Sequence, residues 1–463
     1  MARDEFRQSH GFRNFLLAVI LVAVIAVLAA LFRGGAPTIA FTSLPSAVGA
    51  HKTLTATVSD QMGIKQVKAY YRQNGRTFPL ADESGVRRNW WFGPKQGQEL
   101  NLELKAGRGD VPGLEDGQAE LIIEAWAANL RSSKAVVKQT VQVRSVPPRV
   151  AALTTQHYVN QGGADMIVYT VSPGATESGV EVAGQFFPGY QMPNATAGTM
   201  FSIFAFPYNA PADARFELVA RDDAGNETRQ TFPIKTFPRS FPARPMAISD
   251  SFIQQVVMPI IANTPSISDQ HDPLKNFLLV NRDLRHIEAQ ELADLRKQTV
   301  HEFLWHGAFS RLPTKTEASF ADHRYYVYNN EKVDDEYHLG IDLAGTQHMP
   351  ILAANAGRVL MARYFGIYGN AVVLDHGFGL MSLYGHMNDF AVKPGDMVQQ
   401  GQLLGHSDTT GLAGGDHLHF SILLNGVQVN PTEWWDPHWI HDRIEVKLQP
   451  GAASETNRPQ PGQ

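Results

Sequence analysis

GGDHLHFSI, residues 414–422, is a short apolar stretch that carries two histidines one residue apart. Successive side chains of a β-strand point to opposite faces. On a strand, Leu418, Phe420 and Ile422 line one face, while His417, His419 and Ser421 line the other. The first face suits a hydrophobic core. The second is either half-exposed or half of a site, and the rest of the chain has to decide which.

Twelve of the seventeen histidines fall between residues 301 and 441. YHLGIDLA supplies His338 and Asp342, and MSLYGHM supplies His386 on an expected strand. Glycine-bearing turns such as GIYGN and DHGFG separate these pieces. The chain has no cysteine, so neither a disulfide nor a cysteine-rich structural zinc site is available. A catalytic zinc needs three nitrogen or oxygen ligands and an open fourth position. His338, Asp342 and one of the paired histidines meet that need. Metal binding can bring the pKa of a water down to about 7. The second of the pair, with His386, is then free for proton transfer and charge stabilisation. Two histidines on one face are explained if they share a substrate, without both binding metal.

Outward from this cluster the chain is modular. Its 463 residues exceed one ordinary domain. Hydrophobic residues make up 43%, which excludes disorder over the full length. The formal charge of −5 and the lack of basic-aromatic signatures argue against nucleic acid as a partner. FLLAVILVAVIAVLAALF, residues 15–32, is eighteen apolar residues, about 27 Å as a helix. The run is too long for the core of a signal peptide and lacks a cleavage signature, so the expectation is a transmembrane anchor. Arg3, Arg7 and Arg13 precede it, placing residues 1–14 in the cytoplasm and the remainder outside.

The expected fold class is mainly β. TLTATVSD, IKQVKAYY, LNLEL and AELIIEAW read as strands of an immunoglobulin-like sandwich over 36–147. A second such module covers 148–240, with a hairpin in ARFELVARDDAGNETRQTF. Residues 250–315 read as a helical linker, with Leu284, Ile287, Leu292 and Leu295 on an incomplete helical period. Short strands return over 320–445, and 446–463 is a polar tail expected to be disordered.

Four segments in order, HLGIDLA, GNAVVLDHG, SLYGHM and TGLAGGDHLHFSI, resemble the lysostaphin-type zinc peptidases, family M23, also called LytM-domain peptidoglycan endopeptidases. The resemblance covers roughly residues 335–432. It implies a C-terminal antiparallel-β peptidase domain with a groove over the metal. It implies Zn2+ on His338, Asp342 and His419, with His386 and His417 as the two non-ligand catalytic histidines. It implies peptidoglycan peptides as substrates and hydrolysis through an activated water. With the anchor it implies a single-pass inner-membrane protein whose C-terminal domains lie in the periplasm, with envelope proteins as partners of the sandwich modules. Relatives that lost zinc residues act as activators of other wall hydrolases; a regulator of that kind, or a structural envelope scaffold, is the alternative reading.

Other residues have quieter expectations. His376 should serve a turn. His323 and Arg324 should lie at the surface in ion pairs, Arg324 being the one that could meet a substrate carboxylate. EKVDDE (331–336) reads as a solvated loop. Trp90 and Trp91 should be core aromatics, and the tryptophans of EWWDPHWI (433–440) should pack the C-terminal segment. His348 and His406 have no evident partner.

Overall fold

The computed structural model describes residues 5–31, 34–84, 98–129 and 131–449. Trp90 and Trp91 lie outside the described residues. Glu5–Leu31 is one helix, and its Phe12–Ala29 window, mean hydropathy 2.5, is long and apolar enough to cross a membrane. The chain divides into two compact units: residues 1–148 with 174–176 and 221–227, and the remainder.

In the first unit, Thr38–Phe41, Thr53–Asp60 and Gln98–Lys105 form one antiparallel sheet. A second, five-stranded sheet is centred on Gly117–Ala127 and Ile64–Gln73. Alternating residues of both sheets, among them Leu54, Val58 and Leu104 against Val67, Tyr71 and Ile123, share one core. That is a β-sandwich.

In the second unit, two four-stranded sheets precede the histidine-rich region. The hairpin expected in 214–232 forms from Phe216–Asp222 and Glu227–Thr231. Further along lies an eight-stranded sheet whose centre is Ile341–Ala344, Leu418–Leu424, Leu380–Met387 and Asn370–Gly377, all antiparallel. Its central strands are apolar on both faces because both faces are covered. Val372, Leu374, Tyr384, Phe420 and Ile422 turn to one side, into a core shared with Phe201, Phe204, Trp305 and Trp434. Val373, Leu383 and Leu423 turn to the other, against Val257, Phe277, Val280, Leu284 and Leu292.

Those last five belong to the helical segment. Ser249 caps a run beginning at Asp250, its hydroxyl accepting from Phe252 N at 3.2 Å. Asp272 caps a second run that starts with Pro273 and continues through Arg285–Leu295. Helix ends by Gln298, and the stretch to 314 is irregular. Ala243–Ile248, the strand before the helices, pairs in parallel with Asp322–Tyr328, which pairs antiparallel with Glu331–His338.

The structure corrects the reading of EKVDDE. It is strand, and Asp334 is buried where it accepts from Asn281 Nδ2 and Arg282 Nε, both at 2.8 Å. Strand alternation turns that carboxylate inward, where two donors from the helix compensate its burial. At the other end, Val446–Leu448 is helical. Lys447 is buried there against Asp165, Nζ to Oδ1 2.6 Å, and donates also to Met166 O. Glu433 is buried too, accepting from Asn160 Nδ2 at 3.0 Å and Ala164 N at 2.8 Å.

Candidate metal centre

Strand pairing sets Asp342 directly opposite His419. His338 arrives at the end of the Glu331–His338 strand, one tight turn earlier. Three atoms then converge: His338 Nε2 lies 2.9 Å from Asp342 Oδ1 and 3.0 Å from His419 Nδ1, which is 3.0 Å from the same Oδ1. Gly340 allows this closeness. A Cβ there would stand 2.5 Å from the His419 ring.

The outer hydrogen bonds settle which nitrogens carry protons. His338 Nδ1 faces the Ser319 carbonyl at 3.0 Å, an acceptor, so that nitrogen is the donor and Nε2 holds a lone pair. The Ser421 hydroxyl donates to Leu339 O, so it accepts from His419 Nε2 at 3.0 Å, leaving Nδ1 as a lone pair. Two imidazole lone pairs and a carboxylate therefore meet with no proton between them. A cation fits this donor set, and its N2O chemistry suits zinc.

The two remaining histidines are held differently. His417 Nδ1 donates to Gly415 O and His386 Nδ1 to Thr410 O, each at 2.7 Å. His417 turns its Nε2 towards the cluster, 3.5 Å from Asp342 Oδ1, and the His386 ring lies 4.7 Å from that of His417. Regular alternation from Tyr384 would send His386 to the apolar face. Instead its φ is 59°, in the left-handed region, and the ring swings beside His417 and His419. A left-handed non-glycine residue costs about 1–3 kcal/mol, a strain found where a site needs it.

The electrostatics sort four of these groups. Burial disfavours the charged Asp342, but His338, with His417 and His419, outweighs burial whenever these imidazoles turn a proton towards it, and holds the carboxyl well below its ordinary range. Burial lowers His386, and His417 and His419 lower it further. Burial takes His419 down to about 4. Burial also opposes charge on His417, but the Asp342 carboxylate prevails and raises it.

All five residues expected from the sequence are thus brought together. Arg324 joins them and corrects the surface reading: its Nη2 donates to Asp342 Oδ2 at 3.2 Å. Tyr368, unread in the sequence, sets its ring 5.4 Å from His419. The cluster opens into a cavity of about 330 Å³ whose walls include Arg244, Arg285 and Arg324. His376 is buried between Ala356 O and Ser382 Oγ, both at 2.7 Å. His323 pairs with Asp335 and stacks on Tyr337. His348 and His406 do have partners, Asp416 and Asp389. His348, Asp408 and Asp416 form a second, more exposed donor group. Trp434 is fully buried and Trp435 stacks on Phe420, as packing residues do.

Residues 336–431 match the sequence profile of peptidase family M23. This stretch carries the pattern of a peptidase family M23 domain. It is similar to the DD-carboxypeptidase/endopeptidase Mpg of Neisseria meningitidis serogroup B, 38% identical over 94 residues, 20% of this chain and 22% of that protein. It is similar to the peptidoglycan DD-endopeptidase ShyA of Vibrio cholerae, 38% identical over 93 residues, again 20% and 22% of the two chains. The matched stretch thus spans about a fifth of the length of these curated relatives. Among solved structures, the catalytic domain of lysostaphin from Staphylococcus simulans covers 26% of this chain and 92% of its own, at 24% identity and a TM-score of 0.24. The matched residues include His338, Asp342, His386, His417 and His419; Arg244, Arg285 and Arg324 precede them.

Proposed function

We propose that the chain is a zinc metallo-endopeptidase that hydrolyses peptide bonds of bacterial peptidoglycan. The observation that carries this is the meeting of three unprotonated donors, His338 Nε2, Asp342 Oδ1 and His419 Nδ1, beside the imidazoles of His386 and His417, which line the same cavity. A divalent cation held there would polarise the scissile carbonyl and acidify an attacking water. His417 and His386 then act on the reacting atoms. One Nε2 takes the water proton and later returns it to the departing amine. The other, once protonated, hydrogen-bonds the oxygen on which negative charge develops. Arg324 holds the second oxygen of Asp342 so that the first stays aimed at the metal position.

The substrate class comes from the relatives' names, which specify peptidoglycan and DD-endopeptidase activity. The apolar helix supports an inner-membrane anchor with the sandwich modules and peptidase domain in the periplasm. The test uses the full chain in detergent, incubated with isolated peptidoglycan with and without a chelator, beside His417→Ala. New peptide ends that disappear with chelator and in the variant are expected. Intact peptidoglycan with a folded, zinc-loaded protein would overturn the reading in favour of a regulator of another hydrolase.

A further inference from the structure

The walls of the cavity hold three arginines, and the structure neutralises them unequally. Arg324 is paired with Asp342. Arg244 lies 3.9 Å from Asp322. Arg285 is different. Its Nε donates to the carbonyl of Asn281 at 3.1 Å and its Nη2 to the Asn281 side-chain oxygen at 2.9 Å. Both partners are neutral, and among the described residues no carboxylate forms an ion pair with this guanidinium. Glu288, one turn along the helix, is buried against Ile367 N at 3.2 Å, and burial raises its pKa to about 8. Near neutral pH it offers little compensating charge, and the half-buried Glu336 carboxylate acts on this guanidinium through space, without an ion pair. Arg285 is therefore a preoriented, half-buried cation on the wall of a cavity that His386 and His417 also line.

A guanidinium held by neutral groups retains N–H donors in a fixed fork that matches a carboxylate. We propose that Arg285 anchors a free α-carboxylate on the substrate residue that follows the scissile bond, so that the preferred peptides carry an unblocked carboxylate at that residue. This rests on the peptidase reading for the word substrate, but the anchor itself is a binding property. It assigns selection to the helical segment, outside the family-matched residues, and hydrolysis to the matched domain.

The test measures binding in the absence of turnover. The full chain in detergent, treated with chelator, is titrated calorimetrically with N-acetyl-D-alanyl-D-alanine and with the same dipeptide as its C-terminal carboxamide. The free acid should bind about ten- to a hundredfold more tightly, the range of a charge-assisted hydrogen-bonded pair. In Arg285→Gln this ratio should fall to near one, and Arg285→Lys, which keeps the charge without the fork, should recover part of it. Equal affinities in the unmodified chain, no binding of either peptide, or a preference untouched by Arg285→Gln would each overturn the proposal. A preference for the acid that depends on Arg285, in a protein that leaves peptidoglycan intact, would uphold the anchor and overturn the peptidase reading instead.

Discussion

Arg324 donates from Nη2 to Asp342 Oδ2 at 3.2 Å, and so one oxygen of the carboxylate is committed while the other faces two imidazole lone pairs. The guanidinium is proposed as a positioning group: it would act on a bound cation through the carboxylate. Arg324→Ala should weaken zinc binding about 10- to 100-fold, the usual effect of removing such a partner. Competition against a chromogenic chelator measures this directly, and unchanged affinity would show the ion pair to be incidental.

The ligand and non-ligand histidines should separate experimentally. His419→Ala removes one of three donors, and both bound zinc and activity should be lost. His386→Ala should keep stoichiometric zinc by elemental analysis while hydrolysis falls about 10²- to 10⁴-fold, the range for lost acid–base or oxyanion assistance. If His386→Ala also emptied the site, its proposed role off the metal would be wrong.

Glu288 gives a pH-dependent stability. Burial raises its folded-state pKa to about 8, against an ordinary value of 4.5. The folded chain therefore holds a proton that the unfolded chain releases, and stability is lost as pH rises from the ordinary value through about 8. Glu288→Gln cannot ionise. Relative to the unmodified chain it should gain stability between pH 5 and pH 8, on the order of a few kcal/mol, and level off above. Thermal melts at several pH values would show the trend, and a pH-independent difference would contradict it.

Lys447 and Asp165 form a buried pair with side chains 4% and 0% exposed. Lys447→Met leaves the carboxylate buried without its cation, at a cost of about 3–5 kcal/mol. Adding Asp165→Asn should recover most of the loss. A double variant no better than the single one would show that the two groups act independently.

The strand at 418–424 was legible because its signal is local. Leu418, Phe420 and Ile422 do share the core face, all at 2% exposure or less. The helix at 274–298 was only half legible. Leu284 and Leu292 are buried, but Ile287 is 46% exposed. The rest of the inward stripe is Asn281 and Glu288, polar residues that a search for apolar periodicity passes over. Arg324 was misjudged for another reason. Its partner Asp342 lies on a different strand, and sequence distance says nothing about which strands meet. The angle of His386 was equally hidden, because nothing in LYGHM announces a left-handed backbone at a non-glycine residue.

Glu433 and Lys447 come from the last stretch of described chain, yet the groups they satisfy, Asn160, Ala164 N and Asp165, belong to strands made almost three hundred residues earlier. Until Glu433 and Lys447 are in place, those early strands hold an acid and an amide short of partners. The two sheets on which these groups sit are thereby tied to segments far along the chain. A chain cut before Glu433 would bury the Asp165 carboxylate and the Ala164 amide without these partners, and limited proteolysis should open it along both the early strands and the histidine-bearing sheet.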